Sequence, residues 1–201
     1  DEHGQKIQRT AEARQLSPQQ HCDSISGSYR DLWSRWGISQ DRFVRTTDPR
    51  HLQLVDQFFA RVKASGDVIS GRQTGWYCVG CEEYKDDPAE AVDPSCPIHQ
   101  KPLEWRDEEN LFFRLSHYQS QIEELVARDD FIQPANRRQE VRNFVAQGLR
   151  DFSISRVNVS WGLPVPGHED HTFYVWFDAL LGYLTAPVSY THLRAHETIA
   201  D

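Results

Sequence analysis

Two short pairs of residues constrain the fold of this chain more than any other feature. They are Cys78 with Cys81 and Cys96 with His99, separated by the spacer 82–95. Two residues stand between the members of each pair, so each pair fits a tight turn that directs both ligand atoms at one ion. Two such turns complete the tetrahedron that a structural zinc prefers and leave no position open for catalysis. The alternative, buried free thiols with a surface histidine, does not explain paired spacing on both sides. We therefore predict one structural Zn²⁺ per chain.

Composition narrows the remaining possibilities. The chain has 201 residues and a formal net charge of -8, which argues against a basic nucleic-acid footprint on this part of the protein. No apolar run is long enough to cross a membrane, so we expect no membrane partner. Cysteines in an acidic chain without a secretory signal are typical of a reducing compartment, and we expect a cytoplasmic protein. Cys22 has no ligand partner at metal spacing and is interpreted as core packing.

Residues 1–66 are predicted to alternate helix and strand. Helices are expected over Gln5–Ala13, from Ser17-Pro18 to Gly37, and from Asp48-Pro49 to Gly66, with a short strand at Phe43–Arg45. Alternation of this kind indicates a layered α/β fold.

The rest of the chain is predicted to hold further strands, helices and one rigid loop. The strands are expected at Leu111–Leu115, Phe152–Arg156 and Thr172–Phe177. The helices are expected at Ile122–Ala127, Gln139–Gln147 and Ala179–Leu184, and the loop at Gly162–Gly167. Residues 187–201 change character abruptly, are interpreted as a non-native tail, and are left out of the reasoning on fold and function.

Three groups of residues each allow a structural and a functional interpretation. The run from Trp176 to Tyr183 is typical of an aromatic core, and alternatively of a ligand pocket where a strand ends. Asp1 and His3 are typical of a turn at the end of a strand. Alternatively, Asp1 supplies a carboxylate that pairs with an amino group. Arg156 fits a surface arginine, or a clamp for an anion.

Several motifs, in order along the chain, carry a family resemblance. They are Asp1–Gly4, Gly75–Glu83, Cys96–His99, Glu109–Leu115, Asp151–Arg156 and Tyr174–Tyr183. No single motif is decisive, but the ordered set resembles the methionyl-tRNA synthetases, the bacterial type with one zinc knuckle. The resemblance covers Asp1 to Ala186.

The resemblance implies a class I aminoacyl-tRNA synthetase with a Rossmann-type catalytic domain, here partial, interrupted by a zinc-knuckle connective domain. Residues 1–66 would belong to the first part of the catalytic domain, 67–170 to the insertion and 171–186 to the return of the catalytic domain. Such an enzyme activates methionine with ATP and Mg²⁺ to give methionyl-adenylate, and then transfers the methionyl group to tRNA(Met).

The resemblance also implies roles for individual residues. Asp1 matches the position that binds the ammonium group of methionine. The methionine side-chain pocket matches Trp176, Ala179, Leu180 and Tyr183, with Leu180 standing where some members carry proline. Arg156 matches an arginine tied to the conformational cycle around ATP.

The family's two ATP motifs, of the His-Ile-Gly-His and Lys-Met-Ser-Lys-Ser types, are absent from the chain. We therefore expect the chain to be an internal segment that is inactive alone. Two alternatives stay open: a class I synthetase for another aliphatic amino acid, and a non-catalytic zinc-knuckle module that binds RNA or protein.

Overall fold

Three helices make up the first part of the chain. Two of them begin at a side-chain cap, and the first begins directly after a glycine. The computed structural model describes residues 1–85, 94–157 and 159–186. The helices are α1 (Gln5–Ala13), α2 (Pro18–Arg35) and α3 (Pro49–Ala64). The predicted starts of α2 and α3 are confirmed: Ser17 and Gln20 form a capping box, and the Asp48 side chain accepts a hydrogen bond from the Arg50 amide. Such caps pair the N–H groups that the first turn leaves without an intrahelical partner.

The predicted strand Phe43–Arg45 is wrong. Residues 42–45 lie in the segment that joins α2 to α3 and have no regular secondary structure, and no strand among the described residues pairs with them. Aromatic and β-branched residues favour extended backbone, but a strand also needs a neighbour for its backbone hydrogen bonds. The predicted alternation of helix and strand over residues 1–66 is wrong for the same reason, since this part holds helices only.

A long antiparallel hairpin forms the centre of the larger sheet. Its arms are β1 (Val68–Cys78) and β3 (Glu104–Phe113), which pair along almost their whole lengths. β2 (Glu83–Lys85) joins β1 at one end, and β4 (Phe152–Ser153) joins β3 at the other, so the order is β2-β1-β3-β4. The hairpin therefore carries Cys78 to the end of the sheet that lies away from β4.

A helical segment follows β3. It consists of a 3-10 helix at Leu115–Tyr118, α4 (Gln119–Ala127) and α5 (Ala135–Val145). The two helices predicted here are confirmed, and both begin earlier than expected. The strand predicted for Leu111–Leu115 is confirmed as far as Phe113, where β3 ends.

The segment predicted as one strand, Phe152–Arg156, is divided between two sheets. Its first two residues form β4, whereas β5 (Ser155–Arg156) belongs to a second antiparallel sheet with the order β5-β7-β6. Ile154, between them, is fully buried, and its amide donates to the Leu111 carbonyl at 2.8 Å. This residue therefore anchors the point where the chain passes from one sheet to the other.

The second sheet leads into two short helices. β6 (Pro164–Val165) lies inside the predicted loop, so that prediction is wrong at these residues, and β7 (His168–Phe173) pairs with it. The strand predicted for Thr172–Phe177 is wrong beyond Phe173, because α6 (Val175–Leu180) starts there and α7 (Gly182–Thr185) follows. Phe177 and Leu181 both enter the core at a four-residue step, which is helical spacing.

The main core lies between α3, the two sheets and α6. Its buried members are Val55, Phe59, Leu111, Ile154, Leu163, Val165, Phe173, Phe177 and Leu181. The Phe59 and Phe173 rings meet edge to face at 5.0 Å between centroids. Each such side chain contributes about 1.5–3 kcal/mol when fully buried, so this cluster fixes α6 against α3.

The chain is an α/β structure, as predicted, and both described sheets are antiparallel. Among residues 1–85, 94–157 and 159–186, no helix has the length and apolar character needed to cross a bilayer. The proposed tail, 187–201, and most of the spacer between the two cysteine pairs lie outside the described residues.

Candidate functional site

The four predicted metal ligands meet at the tip of the larger sheet. Their ligand atoms all lie within 4.8 Å of one another. His99 Nδ1 lies 3.7 Å from Cys78 Sγ, 3.3 Å from Cys81 Sγ and 3.7 Å from Cys96 Sγ. A tetrahedral ion with metal–sulfur bonds of about 2.3 Å and a metal–nitrogen bond of about 2.0 Å has edges of about 3.5–3.8 Å. The cluster therefore fits one ion at its centre.

Both ligand pairs sit on the same kind of turn. The Glu82 amide donates to the Cys78 carbonyl, and the Gln100 amide donates to the Cys96 carbonyl, each at 2.7 Å. Glu82 and Gln100 follow the second ligand of their pairs and have positive φ values of 57° and 52°. The two turns are thus local copies of one geometry, which explains why sequence spacing identified the cluster.

Close packing and hydrogen bonds shape the cluster further. A Cβ atom at Gly80 would lie 2.7 Å from the His99 ring, so only glycine allows this approach. The Cys81 amide lies 3.4 Å from Cys78 Sγ and donates to it. Burial raises the pKa of the Cys96 thiol, but hydrogen bonds from the His99 backbone and side chain outweigh it and bring that pKa to about 6. At Cys81, burial raises the pKa to about 11. Three sulfurs and one nitrogen leave no open position, which suits a structural ion.

A second polar cluster, the Asp178 network, joins distant parts of the chain. Asp178 is 1% exposed, and its two carboxylate oxygens bind His3 Nδ1 and His51 Nε2, both at 2.6 Å. His51 Nδ1 lies 2.8 Å from the Thr185 hydroxyl. The Thr185 hydroxyl also donates to the Leu181 carbonyl at 3.2 Å. Burial raises the pKa of Asp178, yet the bonds to His3 and His51 bring it below its usual value.

The sequence does not predict the Asp178 network, because Asp178 stands within an aromatic run and no pattern singles out His51. The only available signal was a histidine beside the apolar face of α3. Such a residue is usually a satisfied core histidine, and nothing in the sequence links it to a carboxylate on another helix.

The opening segment of the chain is held by its own ion pairs. Glu2 is 7% exposed and accepts a hydrogen bond from Arg45 Nε at 2.7 Å, and Arg45 also binds Asp23 at 2.7 Å. Burial raises the pKa of Glu2, but hydrogen bonds from Arg45, Ser26 and Thr47 bring it below the usual value. Asp1, next to it, is exposed and lines a cavity of about 210 Å³ between this segment and α2.

The predicted methionine-pocket residues form one stripe along α6 and α7. Trp176 is 47% exposed, Leu180 56% and Tyr183 79%. Trp176 and Leu180 line an apolar cavity of about 240 Å³ together with Phe58, Phe113, Phe152, Tyr174, Phe177 and Leu181. This cavity differs from the one that Asp1 lines. The described residues therefore bring the stripe together on one helical face, and the His3–Asp178 bond connects α6 to the opening segment that holds Asp1.

Arg156 is buried, at 5% exposure, and is not the surface arginine that the pattern allowed. Its Nη1 donates to Ser153 Oγ at 2.6 Å and to the Ser155 carbonyl at 2.7 Å. The guanidinium carbon lies 3.9 Å from the centroid of the Tyr174 ring, a cation–π distance. Arg156 Nε has no hydrogen-bond partner among the described residues. Arg156 thus packs under the start of α6 rather than facing solvent.

Glu82 connects the Cys/His cluster to the opening segment of the chain and to the residue before α6. Its carbonyl accepts a hydrogen bond from the Tyr174 hydroxyl, one residue before α6. Its carboxylate lies against Gly4, where a Cβ atom would come within 2.1 Å of Glu82 Oε1. Burial raises the pKa of Glu82, and the amides of Lys6 and Gln5 oppose that effect.

Comparison with known proteins assigns this arrangement to a family. The family model described as tRNA synthetases class I (M) matches residues 1–88 and 85–199. The second range runs into the segment that we interpreted as a non-native tail, which stays a prediction.

Individual relatives agree with the family match. A methionine–tRNA ligase of a Synechocystis species is 61% identical over 188 residues, which cover 92% of this chain and 35% of that protein. The chloroplastic/mitochondrial methionine–tRNA ligase of Arabidopsis thaliana is 51% identical over 187 residues, or 92% of this chain and 30% of that protein. The chain thus spans about a third of the length of these relatives.

A solved structure has the same fold. The crystal structure of Mycobacterium tuberculosis methionyl-tRNA synthetase bound by methionyl-adenylate superposes with a TM-score of 0.85 at 35% identity, over 95% of this chain and 38% of that chain. The family resemblance noted in the sequence is therefore confirmed: the chain belongs to the class I tRNA synthetases, in the family described as tRNA synthetases class I (M).

Proposed function

We propose that this protein acts as a methionine–tRNA ligase. In the first step, the carboxylate of methionine attacks the α-phosphate of ATP, which gives methionyl-adenylate and releases pyrophosphate. In the second step, a ribose hydroxyl of the terminal adenosine of tRNA(Met) attacks the carbonyl carbon of methionyl-adenylate, so an ester bond forms, the acyl–phosphate bond breaks and AMP leaves. The observation that carries the proposal is the 61% identity to a relative of that name over 92% of the chain.

The proposed amino-acid site uses the two segments that the Asp178 network joins. The Asp1 carboxylate binds the ammonium group of methionine, because charge-assisted hydrogen bonds are the strong ones. Trp176, Ala179, Leu180 and Tyr183 hold the side chain. Their exposure supports a role in binding, since large apolar residues that line one helical stripe and stay solvent-accessible have not been used for the core. Aromatic rings also suit a thioether, because each sulfur–ring contact adds about 0.3–1.5 kcal/mol.

The proposed role of Arg156 is positional. It lies beneath Tyr174 at the start of α6, so a change in its contacts would move the stripe that carries Trp176. This supports a link between Arg156 and the conformational cycle around ATP, which is bound with Mg²⁺. In the family, charged groups at the phosphates supply most of the stabilisation for phosphoryl chemistry of this kind.

We further propose that residues 67–170 form a connective insertion in a Rossmann-type catalytic domain, with 1–66 and 171–186 on either side. The β1–β3 hairpin and the metal cluster lie wholly inside that range. The outer boundary falls within β7, so the insertion and the return of the catalytic domain share a strand.

The proposed ion in the cluster is Zn²⁺. Thiolate and imidazole ligands favour zinc over calcium or magnesium, and four protein ligands are typical of structural sites. Metal analysis of the chain purified without chelator is expected to give one zinc per chain. Protein that is folded and free of metal would contradict this assignment.

Methionine-dependent exchange of pyrophosphate into ATP tests the enzymatic proposal. Because the chain spans 35% of the Synechocystis relative, the assay uses that relative with this chain in place of its matched segment. We expect exchange with methionine and far slower exchange with isoleucine, because a hydrophobic pocket discriminates side chains by shape and contact. Faster exchange with isoleucine would assign the protein to a synthetase for a branched aliphatic amino acid. The chain assayed alone is expected to be inactive.

A further inference from the structure

Glu82 occupies a strained position directly behind the metal cluster. Its φ is 57°, in the left-handed region that residues other than glycine rarely adopt. The turn around the metal ligands holds it there, because the Glu82 amide donates to the Cys78 carbonyl at 2.7 Å. Strain of this kind persists only where surrounding contacts determine the backbone, and it concentrates at functional positions.

The Glu82 carboxylate lies at the N-terminal end of α1. This helix has Gly4 at its N-cap position, no side-chain cap of its own and no acidic residue in its first turn. The Glu82 carboxylate lies over Gly4, where a Cβ atom would come within 2.1 Å of Glu82 Oε1. Burial raises the pKa of Glu82, and the amides of Lys6 and Gln5 in that first turn lower it. Free amides and the positive end of the helix dipole both favour an anion at this point. A carboxylate from the metal turn therefore supplies what the sequence of α1 lacks.

The Glu82 carbonyl reaches the second segment of the proposed methionine site. It accepts a hydrogen bond from the Tyr174 hydroxyl. Tyr174 is the residue before α6, and α6 carries Trp176 and Leu180. The other end of α6 connects back to the first segment, because Asp178 binds His3 at 2.6 Å. Glu82 thus touches both segments, one with its side chain and one with its backbone.

We propose that Glu82 is a positioning residue that couples the metal cluster to the relative placement of Asp1–Gly4 and α6, so that metal loading strengthens methionine binding. The second half of this statement depends on the proposed function, whereas the first half concerns only the geometry of this chain. The two halves can therefore be tested separately.

Hydrogen–deuterium exchange tests the coupling without any ligand. In the wild-type chain, removal of zinc is expected to speed amide exchange in residues 4–8 and 174–181 as well as in the metal turns. In Glu82→Gln with zinc bound, exchange in residues 4–8 is expected to be roughly fivefold faster, the size of one lost helix cap. Glu83→Gln is the matched control, since Glu83 is the exposed neighbour of Glu82 at the start of β2. Glu83 pairs with Lys85 and not with Gly4 or Tyr174, so this variant is expected to match wild type at residues 4–8.

Tyr174→Phe removes the hydroxyl that donates to the Glu82 carbonyl and leaves the four cluster residues unchanged. The expected result is full zinc content with faster exchange at the start of α6. Zinc-dependent protection of residues 4–8 and 174–181 that is identical in wild type, Glu82→Gln and Tyr174→Phe would overturn the coupling, because it would show that the contacts of Glu82 transmit nothing.

Methionine affinity tests the functional half, in the Synechocystis relative that carries this chain. Wild type binds methionine if the proposed function is right, and that measurement judges the proposed function alone. Given binding, Glu82→Gln is expected to raise the Kd roughly fivefold with one zinc retained, and Glu83→Gln is expected to leave it unchanged. An unchanged Kd in Glu82→Gln would overturn the functional half of the inference.

Discussion

The proposed metal cluster and the Asp178 network each bring four or fewer polar side chains together, but they are assembled from the sequence in opposite ways. The cluster lies between positions 78 and 99 and consists of two copies of one tight turn. Asp178 binds His3 and His51, which are 175 and 127 positions away. The first site is a local geometry that spacing alone reveals. The second exists only because the core brings α3, α6 and the opening segment into contact, so its stability reports on the whole fold.

Loss of a proposed metal ligand gives the largest expected effect. Cys78→Ser removes one thiolate, and we expect loss of zinc and a decrease in the free energy of unfolding of several kcal/mol, since structural zinc sites contribute about 10–16 kcal/mol of apparent binding energy. Metal analysis and urea unfolding measure both quantities. The control is Cys22→Ser, because Cys22 is equally buried but lies outside the cluster, and it is expected to keep the zinc. Stoichiometric zinc in Cys78→Ser would show that the ion is held without Cys78, and it would contradict the proposed set of four ligands.

Disruption of the Asp178 network comes next. Asp178→Asn breaks a buried charged interaction with two histidines, and we expect a loss of about 3 kcal/mol in the free energy of unfolding with zinc content unchanged. Asp56→Asn, at an exposed position of α3, is the control and is expected to change stability little. If the two variants are equally stable, the network does not hold α3 to α6.

The pH dependence of the unfolding free energy, compared between wild type and Asp178→Asn, sharpens this test. The pKa of Asp178 is lower in the folded chain than its usual value of 3.8, so the unfolded state binds the proton more readily. The stabilisation is therefore complete above that value and is lost as the pH falls through the folded pKa. The difference in unfolding free energy between wild type and Asp178→Asn is expected to shrink as the pH falls below about 3.8. A difference that grows on acidification would contradict this.

A smaller effect is expected from Gly80→Ala. The added Cβ atom would lie 2.7 Å from the His99 ring, so the ring or the turn must shift, at a cost of about 1–3 kcal/mol and weaker zinc binding. Gly27→Ala in α2 is the matched control, because no atom lies within 4 Å of the added methyl group. Alanine also favours a helix interior, so the control is expected to gain up to about 1 kcal/mol. Competition with a chromogenic chelator measures zinc affinity in both variants.

The smallest change in stability is expected from Trp176→Ala. Trp176 is 47% exposed, so its removal is expected to lower the free energy of unfolding by less than about 1 kcal/mol. Methionine affinity is expected to fall by at least about tenfold, because the pocket loses its largest aromatic contact. Trp36→Ala, at a position that is 71% exposed and far from the proposed site in sequence, serves as the control. Equal methionine affinity in the two variants would exclude Trp176 from the pocket.

Secondary structure was predictable wherever a local signal decided it. Ser17 and Gln20 formed the expected capping box, and α3 began at the expected proline. The predictions that were wrong concern β-prone residues whose state depends on neighbours. Phe43–Arg45 lacks a pairing strand, and Val175–Phe177 turns into a helix because Phe177 and Leu181 pack into the core at helical spacing. Propensity could not settle either case, because tertiary contacts outweigh it.

The sequence by itself determined which four residues form the proposed metal cluster and to which family the chain belongs. Both follow from residue types and their spacing along the chain, a four-ligand pattern in one case and an ordered set of motifs in the other. Only the tertiary structure decided that His51 and His3 share Asp178, that Arg156 is buried under Tyr174, and that Glu82 contacts both Gly4 and Tyr174. The physical reason is the range of the contacts. Turn geometry and ligand spacing are set by a few consecutive residues, whereas these contacts form only after the apolar core has fixed the helices against the sheets.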